Sequence, residues 1–206
     1  RDHIGSGKDW DLARRSGGIK ILPPYITAYA NNINALYRTR MEALKSVNYS
    51  ISRIKDEYVI MSDCDVICNV DFNDILENHI KTGADVTLAV KSVDLTPESA
   101  KINVLFDSDE DGRVRDILSY PTQFTGRADV GLNIVVMRTE YLKQIVLDAI
   151  AHNYTSLTSD ILARNMQNRN YRVYKYDGYF ACISSFADYY AHSMELLSDA
   201  SSRDAL

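Results

Sequence analysis

The chain has 206 residues and 23.3 kDa, about one large α/β domain. With 46% hydrophobic and 25% charged residues its composition is that of a folded domain and excludes an intrinsically disordered chain. The net charge of −5 and the absence of a basic cluster argue against sequence-independent nucleic-acid binding, and no apolar run approaches the ~20 residues of a membrane span.

Residues 1–18, rich in Gly, Asp, Arg and Ser, read as a loop without an apolar signal region. Ile19-Lys20-Ile21-Leu22 reads as a short strand stopped by Pro23-Pro24, because proline donates no ladder hydrogen bond. Residues 34–46 carry Ala35, Leu36, Met41 and Leu44 among charges, which predicts a helix. Residues 57–62, Glu-Tyr-Val-Ile-Met-Ser, are nearly all apolar and read as a strand buried on both faces, hence part of a parallel sheet. Asp71 or Asn73 caps the next helix, which presents Phe72, Ile75, Leu76, His79 and Ile80 and ends at Gly83. With the strand over residues 85–90 this makes a strand–helix–strand unit. A hairpin over 101–106 and 113–118 follows, then a buried strand at 131–137 and a helix carrying Tyr141, Leu142, Ile145, Val146, Ala149 and Ile150. A helix over 157–168, strands at 171–176 and 179–183, and a last helix capped by Ser184 or Ser185 complete a mixed α/β pattern with an expected mainly parallel sheet. No internal repeat is present.

Asp63-Cys64-Asp65, directly after the first buried strand, is the most informative spot. Ligands of open α/β sheets sit beyond the carboxyl ends of the strands. Two carboxylates there can hold a hard divalent cation that bridges nucleotide phosphates. A solvated turn whose carboxylates cap backbone amides explains the same spacing equally well. Gly17-Gly18 after Arg14-Arg15 reads as a tight turn with surface arginines, the alternative being an anion cradle. Asp109-Glu110-Asp111-Gly112 reads as a hairpin turn, since the remaining spaced ligands of a calcium loop are missing. Cys64, Cys68 and Cys182 show no zinc spacing and read as reduced thiols, which places the protein in the cytoplasm. His3, His152 and His192 show neither triad nor metal spacing, and His79 is expected to pack partly on its helix.

Several segments resemble the ADP-glucose pyrophosphorylase (glucose-1-phosphate adenylyltransferase) family. Residues 3–12, H-I-G-S-G-K-D-W-D-L, and residues 17–24, G-G-I-K-I-L-P-P, are similar to the family's H-I-G-x-G-x-x-W-D-L and G-G-x-x-x-L-P-P. Ser62 through Phe72 resembles S-G-D-H-I-Y-x-x-D-Y with one inserted residue, which puts Asp65 on the catalytic, metal-binding aspartate. His79, Ala84, Asp85 and Thr87 fit H-x-x-x-x-A-D-x-T, and residues 160–162 and 178–180 resemble D-I-I-P and G-Y-W. The resemblance implies a Rossmann-like nucleotide-diphospho-sugar transferase domain over 1–198. It also implies an absent N-terminal Gly-rich phosphate loop and, after a linker at 199–206, an absent C-terminal β-helix.

Within that resemblance three features of the family's site are replaced. Cys182 stands where the second metal carboxylate is expected, and a soft thiol is a poor Mg²⁺ ligand. Asn31-Asn32-Ile33-Asn34-Ala35 stands in place of the nucleotide-holding G-T-A-D-A, and no lysine occupies Ser119-Tyr120-Pro121, where the sugar phosphate is gripped. Gly131 matches the glycine of the sugar-side strand. The implied protein is a GlgD-type regulatory subunit in glycogen biosynthesis, with Asp65 as a vestigial metal ligand and no bound Mg²⁺. ATP, glucose 1-phosphate or ADP-glucose would bind weakly, and the partner would be a catalytic paralogue in a heterotetramer. The alternative is an active adenylyltransferase that makes ADP-glucose and pyrophosphate with Mg²⁺. A D-x-D glycosyltransferase is disfavoured by the G-G-x-x-x-L-P-P stretch. Asp65 and Cys182 are expected to face each other across the site.

Overall fold

The computed structural model describes residues 3–14, 17–22 and 37–198. Thr39 opens α1 (Arg40–Ser46) by accepting the Glu42 N–H on its hydroxyl at 3.2 Å, and α2 (Asn48–Ser52) follows after Val47. Then come β1 (Tyr58–Met61) and the short β2 (Val66–Cys68). The Asp71 carboxylate accepts the Asn73 N–H at 2.8 Å to start α3 (Phe72–Thr82). Gly83 closes that helix at φ 58°, a left-handed conformation that costs glycine nothing. β3 (Val86–Leu95), α4 (Pro97–Ala100), β4 (Val104–Ser108) and β5 (Val114–Ser119) lead to the long β6 (Gly126–Arg138). α5 (Thr139–Ala151), a π-helical turn (Leu157–Leu162), α6 (Ala163–Asn165), β7 (Tyr171–Lys175) and β8 (Phe180–Cys182) follow. Ser185 then accepts the Asp188 N–H at 3.1 Å and caps α7 (Phe186–Ser198).

β6 organises the main sheet. On one side it pairs with β3; on the other, its first half pairs with β4 and its second half with β1. β5 continues outward from β4, and β7 outward from β3. Every one of these pairings is antiparallel except β3–β7. A separate ribbon joins β2 to β8, antiparallel, with Val66 opposite Cys182. The mixed α/β architecture is the expected one, but the mainly parallel sheet is corrected to a mainly antiparallel one. β1 and β3 do run in the same direction, as a strand–helix–strand unit requires, yet β6 is inserted between them and runs the opposite way. The apolar run of β1 misled because it is not buried on both faces: Ile60 is 39% exposed.

The central strands are enclosed on both faces. Leu132, Ile134 and Val136 of β6 pack with Ile75 of α3 and Ala89 of β3, while Val135 and Met137 point to the other face with Met41, Leu142 and Val146. Strict alternation thus buries successive side chains in two different clusters. Each fully buried aliphatic side chain contributes on the order of 1.5–3 kcal/mol. Double-sided burial by helices therefore made β6 read as continuous apolar sequence, without any bearing on strand direction.

Boundaries differ from expectation at several places: β3 and β6 run longer than the expected 85–90 and 131–137, β4 starts later than 101, and β2 and α4 are unexpected. Residues 19–22 form no strand, although Ile19 N–H reaches back to Leu12 O at 3.1 Å. The helix expected from 34 begins at Arg40, and residues 34–36 lie outside the described ones. The helix expected over 157–168 opens as a π turn, and the Asp160 carboxylate folds back at its start to accept the N–H groups of Thr155 and Ser156, both at 2.9 Å. Among the described residues no helix is long and apolar enough to cross a membrane.

Candidate functional site

β1 ends at Met61, and the chain turns through Ser62 to Asp65 before entering β2. The β2–β8 ribbon fixes what faces that turn. Ile183 N–H donates to Asp65 O at 2.8 Å, which holds the Asp65 backbone against the end of β8. Across the ribbon the Cys182 thiol donates to Asp65 Oδ2 with Sγ 3.8 Å away. Asp65 and Cys182, far apart in sequence, are brought together here. The other carboxylate oxygen, Asp65 Oδ1, is buried without a hydrogen-bond partner.

Burial, above all, and then the Asp65 carboxylate push the Cys182 thiol above its ordinary range, with Asp188 and Asp63 adding to the effect. The sulfur is therefore a neutral S–H donor at pH 7, not a thiolate. A neutral thiol offers little to a hard cation, and Mg²⁺ selects oxygen ligands in near-octahedral geometry. Asp63 is committed elsewhere. Its Oδ1 receives Arg40 Nη2 at 2.7 Å and Nε at 3.1 Å. Among the described residues no group of three or more His, Cys, Asp or Glu side chains is placed to hold a metal ion. The set of one half-satisfied carboxylate and one protonated thiol is a poor fit for Mg²⁺.

Arg40 is the residue that sequence reasoning missed. It stands at the first turn of α1, and besides Asp63 it donates from Nη2 to Asn133 O at 2.9 Å. Asn133 adopts φ 59°, a left-handed conformation that Asn tolerates better than other non-glycine residues. The only hint in the sequence was an asparagine inside an otherwise apolar strand. Arg40 thus ties the turn after β1 to the middle of β6.

Beside this tie lies a small recess of about 40 Å³, whose walls include Arg40, Gly131, Asn133, Phe106, Leu157 and Thr158. Gly131, the expected sugar-side glycine, lines it. The glycine also has a plain packing reason: a Cβ there would come within 2.8 Å of Phe106 Cε2. Of the other expected positions, Asn31–Asn34, Arg15 and Pro23-Pro24 lie outside the described residues. Arg14 is paired with Asp11 in an exposed turn, as the surface-arginine reading has it. Asp109 accepts the N–H groups of Asp111 at 3.1 Å and Arg113 at 2.8 Å, which is hairpin-turn chemistry. The segment Ser119–Pro121 enters the hairpin end with Tyr120 at φ 55°.

No family model matches the chain. Among curated proteins it is similar to glucose-1-phosphate adenylyltransferases. The Clostridium acetobutylicum protein is 28% identical over 97% of this chain and 52% of its own length. That of Thermotoga neapolitana is 27% identical over 95% and 46%, and that of Pseudothermotoga lettingae 29% over 95% and 46%. The chain therefore spans about half the length of these relatives. Among solved structures, HddC from Yersinia pseudotuberculosis shares the fold, with a TM-score of 0.63 over 95% of this chain and 74% of that one at 17% identity.

Proposed function

We propose that this chain, a relative of glucose-1-phosphate adenylyltransferases, is part of a regulatory subunit of such an enzyme and not of a self-sufficient catalyst. One observation carries the reading: the Cys182 thiol lies against Asp65 where a second carboxylate would complete a divalent-cation clamp. Adenylyl transfer brings two phosphate-bearing substrates together, and its catalysis rests on positioning and on neutralising negative charge. With Cys182 protonated and Asp63 neutralised by Arg40, the end of β1 supports little of that. ATP and glucose 1-phosphate would bind weakly, no Mg²⁺ would be retained, and the protein would act through contact with a catalytic paralogue in glycogen biosynthesis. The exposed Phe186, Tyr189, Tyr190 and Leu197 of α7 support a role for surfaces, since large aromatic contact area favours interfaces.

The test is kinetic, on the full-length protein supplied with ATP, glucose 1-phosphate and Mg²⁺. Alone it turns over well below ~1 s⁻¹, and mixed with its paralogue it raises the paralogue's turnover or substrate affinity. Turnover of ~1–10³ s⁻¹ by the protein alone sinks the reading. The buried, unpartnered Asp65 Oδ1 favours a second reading, in which this oxygen still takes a cation and the protein is an active adenylyltransferase. The same assay separates the two.

A further inference from the structure

A second recess, about 110 Å³ and open to solvent, lies at the amino end of β1, and its walls include Tyr58, His79, Ile80, Gly83, Asp85 and Arg138. The adenylyltransferase reading makes no use of it. Tyr58 sits opposite Arg138 in the sheet and Met61 opposite Val135, so this recess and the Asp63–Asp65 turn occupy opposite ends of one strand.

His79 carries the argument. It lies on the buried face of α3 and is only 1% exposed. Its Nδ1 is 2.8 Å from Thr87 Oγ1, and its Nε2 has no hydrogen-bond partner. Thr87 is itself fully buried, and Nδ1 is the acceptor within reach of its hydroxyl. A buried hydroxyl that donates to nothing is costly, so Thr87 donates and Nδ1 accepts. The neutral ring then carries its proton on Nε2. Burial first, and Arg138 second, hold the imidazole below its ordinary range, against a smaller opposing pull from Asp85, so the ring is neutral at pH 7. One buried N–H donor is left without a partner, on a ring that lines the recess.

Arg138 supplies further donors. Its Nη1 donates to Glu57 at 2.5 Å and its guanidinium lies 5.1 Å from the Tyr58 ring centroid. Among the described residues its Nη2 and Nε make no other hydrogen bond. Asp85 is the one carboxylate in the lining, and it is already engaged, accepting the Asn170 N–H at 2.8 Å and Arg169 Nη1 at 3.4 Å. The recess is thus lined by unspent donors, and an occupant that satisfies them has to bring acceptors.

We propose that this recess binds a small oxyanion, a phosphate or a carboxylate, held by His79 Nε2–H and the Arg138 guanidinium. Glu57 competes for Arg138 and keeps the affinity modest, while the Tyr58 ring fixes the plane of the guanidinium.

The full chain, labelled with ¹⁵N at histidine, tests this by long-range ¹H–¹⁵N correlation during titration with inorganic phosphate and, separately, with acetate, against chloride at equal ionic strength. The His79 signals show a protonated Nε2 and an unprotonated Nδ1, and they shift saturably with phosphate, acetate or both. Which anion acts identifies the occupant. Arg138→Gln, at a side chain 57% exposed and so without risk to folding, weakens that response about tenfold, the worth of a charge-assisted hydrogen bond. Glu57→Gln strengthens it. A proton on Nδ1, a response to neither anion beyond chloride, or a response unchanged in Arg138→Gln overturns the proposal and leaves water as the partner of Nε2. Adenylyltransferase activity plays no part in the readout, so the outcome is independent of the regulatory reading.

Discussion

At the carboxyl end of β1, Asp63, Asp65 and Cys182 gather carboxylates around a protonated thiol; at its amino end, Tyr58, His79 and Arg138 gather donors. Each end holds a buried polar atom without a partner, the acceptor Asp65 Oδ1 at one and the donor Nε2 of His79 at the other. They differ in how charge is compensated. The carboxylate end has drawn in a cation of its own, Arg40, which neutralises Asp63 and ties it to β6. The donor end keeps its one cation half in solvent, shared with an exposed Glu57. A carboxylate already paired internally, as Asp63 is, has less need of a ligand than donors left open, and that contrast separates the two ends of a single strand.

The sharpest way to break the contrast is Thr87→Val. It is nearly isosteric, but it leaves Nδ1 of the buried His79 without its donor, for a loss of about 1–3 kcal/mol in urea unfolding. A cost below about 0.5 kcal/mol would contradict the buried His79–Thr87 hydrogen bond. Cys182→Asp sharpens the other end. A second carboxylate beside Asp65 lowers stability by about 1 kcal/mol at pH 7, and millimolar Mg²⁺ recovers it, while the wild-type melting midpoint does not respond to Mg²⁺. The same variant gains no useful turnover, because Asn31–Asn34 and the missing lysine near Tyr120 remain.

Smaller effects follow from Arg40 and His79. Arg40→Gln costs no more than about 1 kcal/mol, since the Arg40 and Asp63 side chains are 21% and 39% exposed, and its cost shrinks at high salt. Between pH 7.5 and 6 the expected change is under about 1 kcal/mol and runs in one direction. His79 is held neutral in the folded protein by burial and by Arg138, whereas in the unfolded chain it takes up a proton near ~6.5. The unfolded state thus binds more protons, and this contribution to stability, full above that value, declines as pH falls below it. Thermal melts across this range, compared in wild type and in an Arg138→Gln variant whose His79 loses that electrostatic bias, measure it.

Much of this was legible in the chain itself. Asp71 and Gly83 bracket α3 as their residue types dictate, Ser185 caps α7, and the Asp109–Gly112 turn joins β4 to β5, because caps and turns are settled by a few neighbouring residues. Asp65 and Cys182 could be named as partners only through a resemblance to relatives, since nothing local links two residues this far apart. His79 read as a half-packed helix residue, and its full burial depends on Tyr58 and Thr87 arriving from two strands of the sheet.

What the sequence by itself determined is the order of helices and strands, where most of them start and stop, and which side chains are apolar enough to be buried. Tertiary structure alone decided strand direction, as β6 shows: its apolar alternation is the same whether neighbours run with it or against it, and only the path of the chain through β4 and β5 inserts it antiparallel between β1 and β3. Tertiary structure also decided the charges. Asp63 carries the same carboxylate in any fold, but Arg40 reaches it only because the fold brings the start of α1 to the turn after β1, and the Cys182 thiol is pushed above its ordinary range only because the β2–β8 ribbon buries it and sets it against Asp65. Local structure follows from interactions within a few residues, whereas protonation and pairing follow from distances in space, which a linear pattern does not contain.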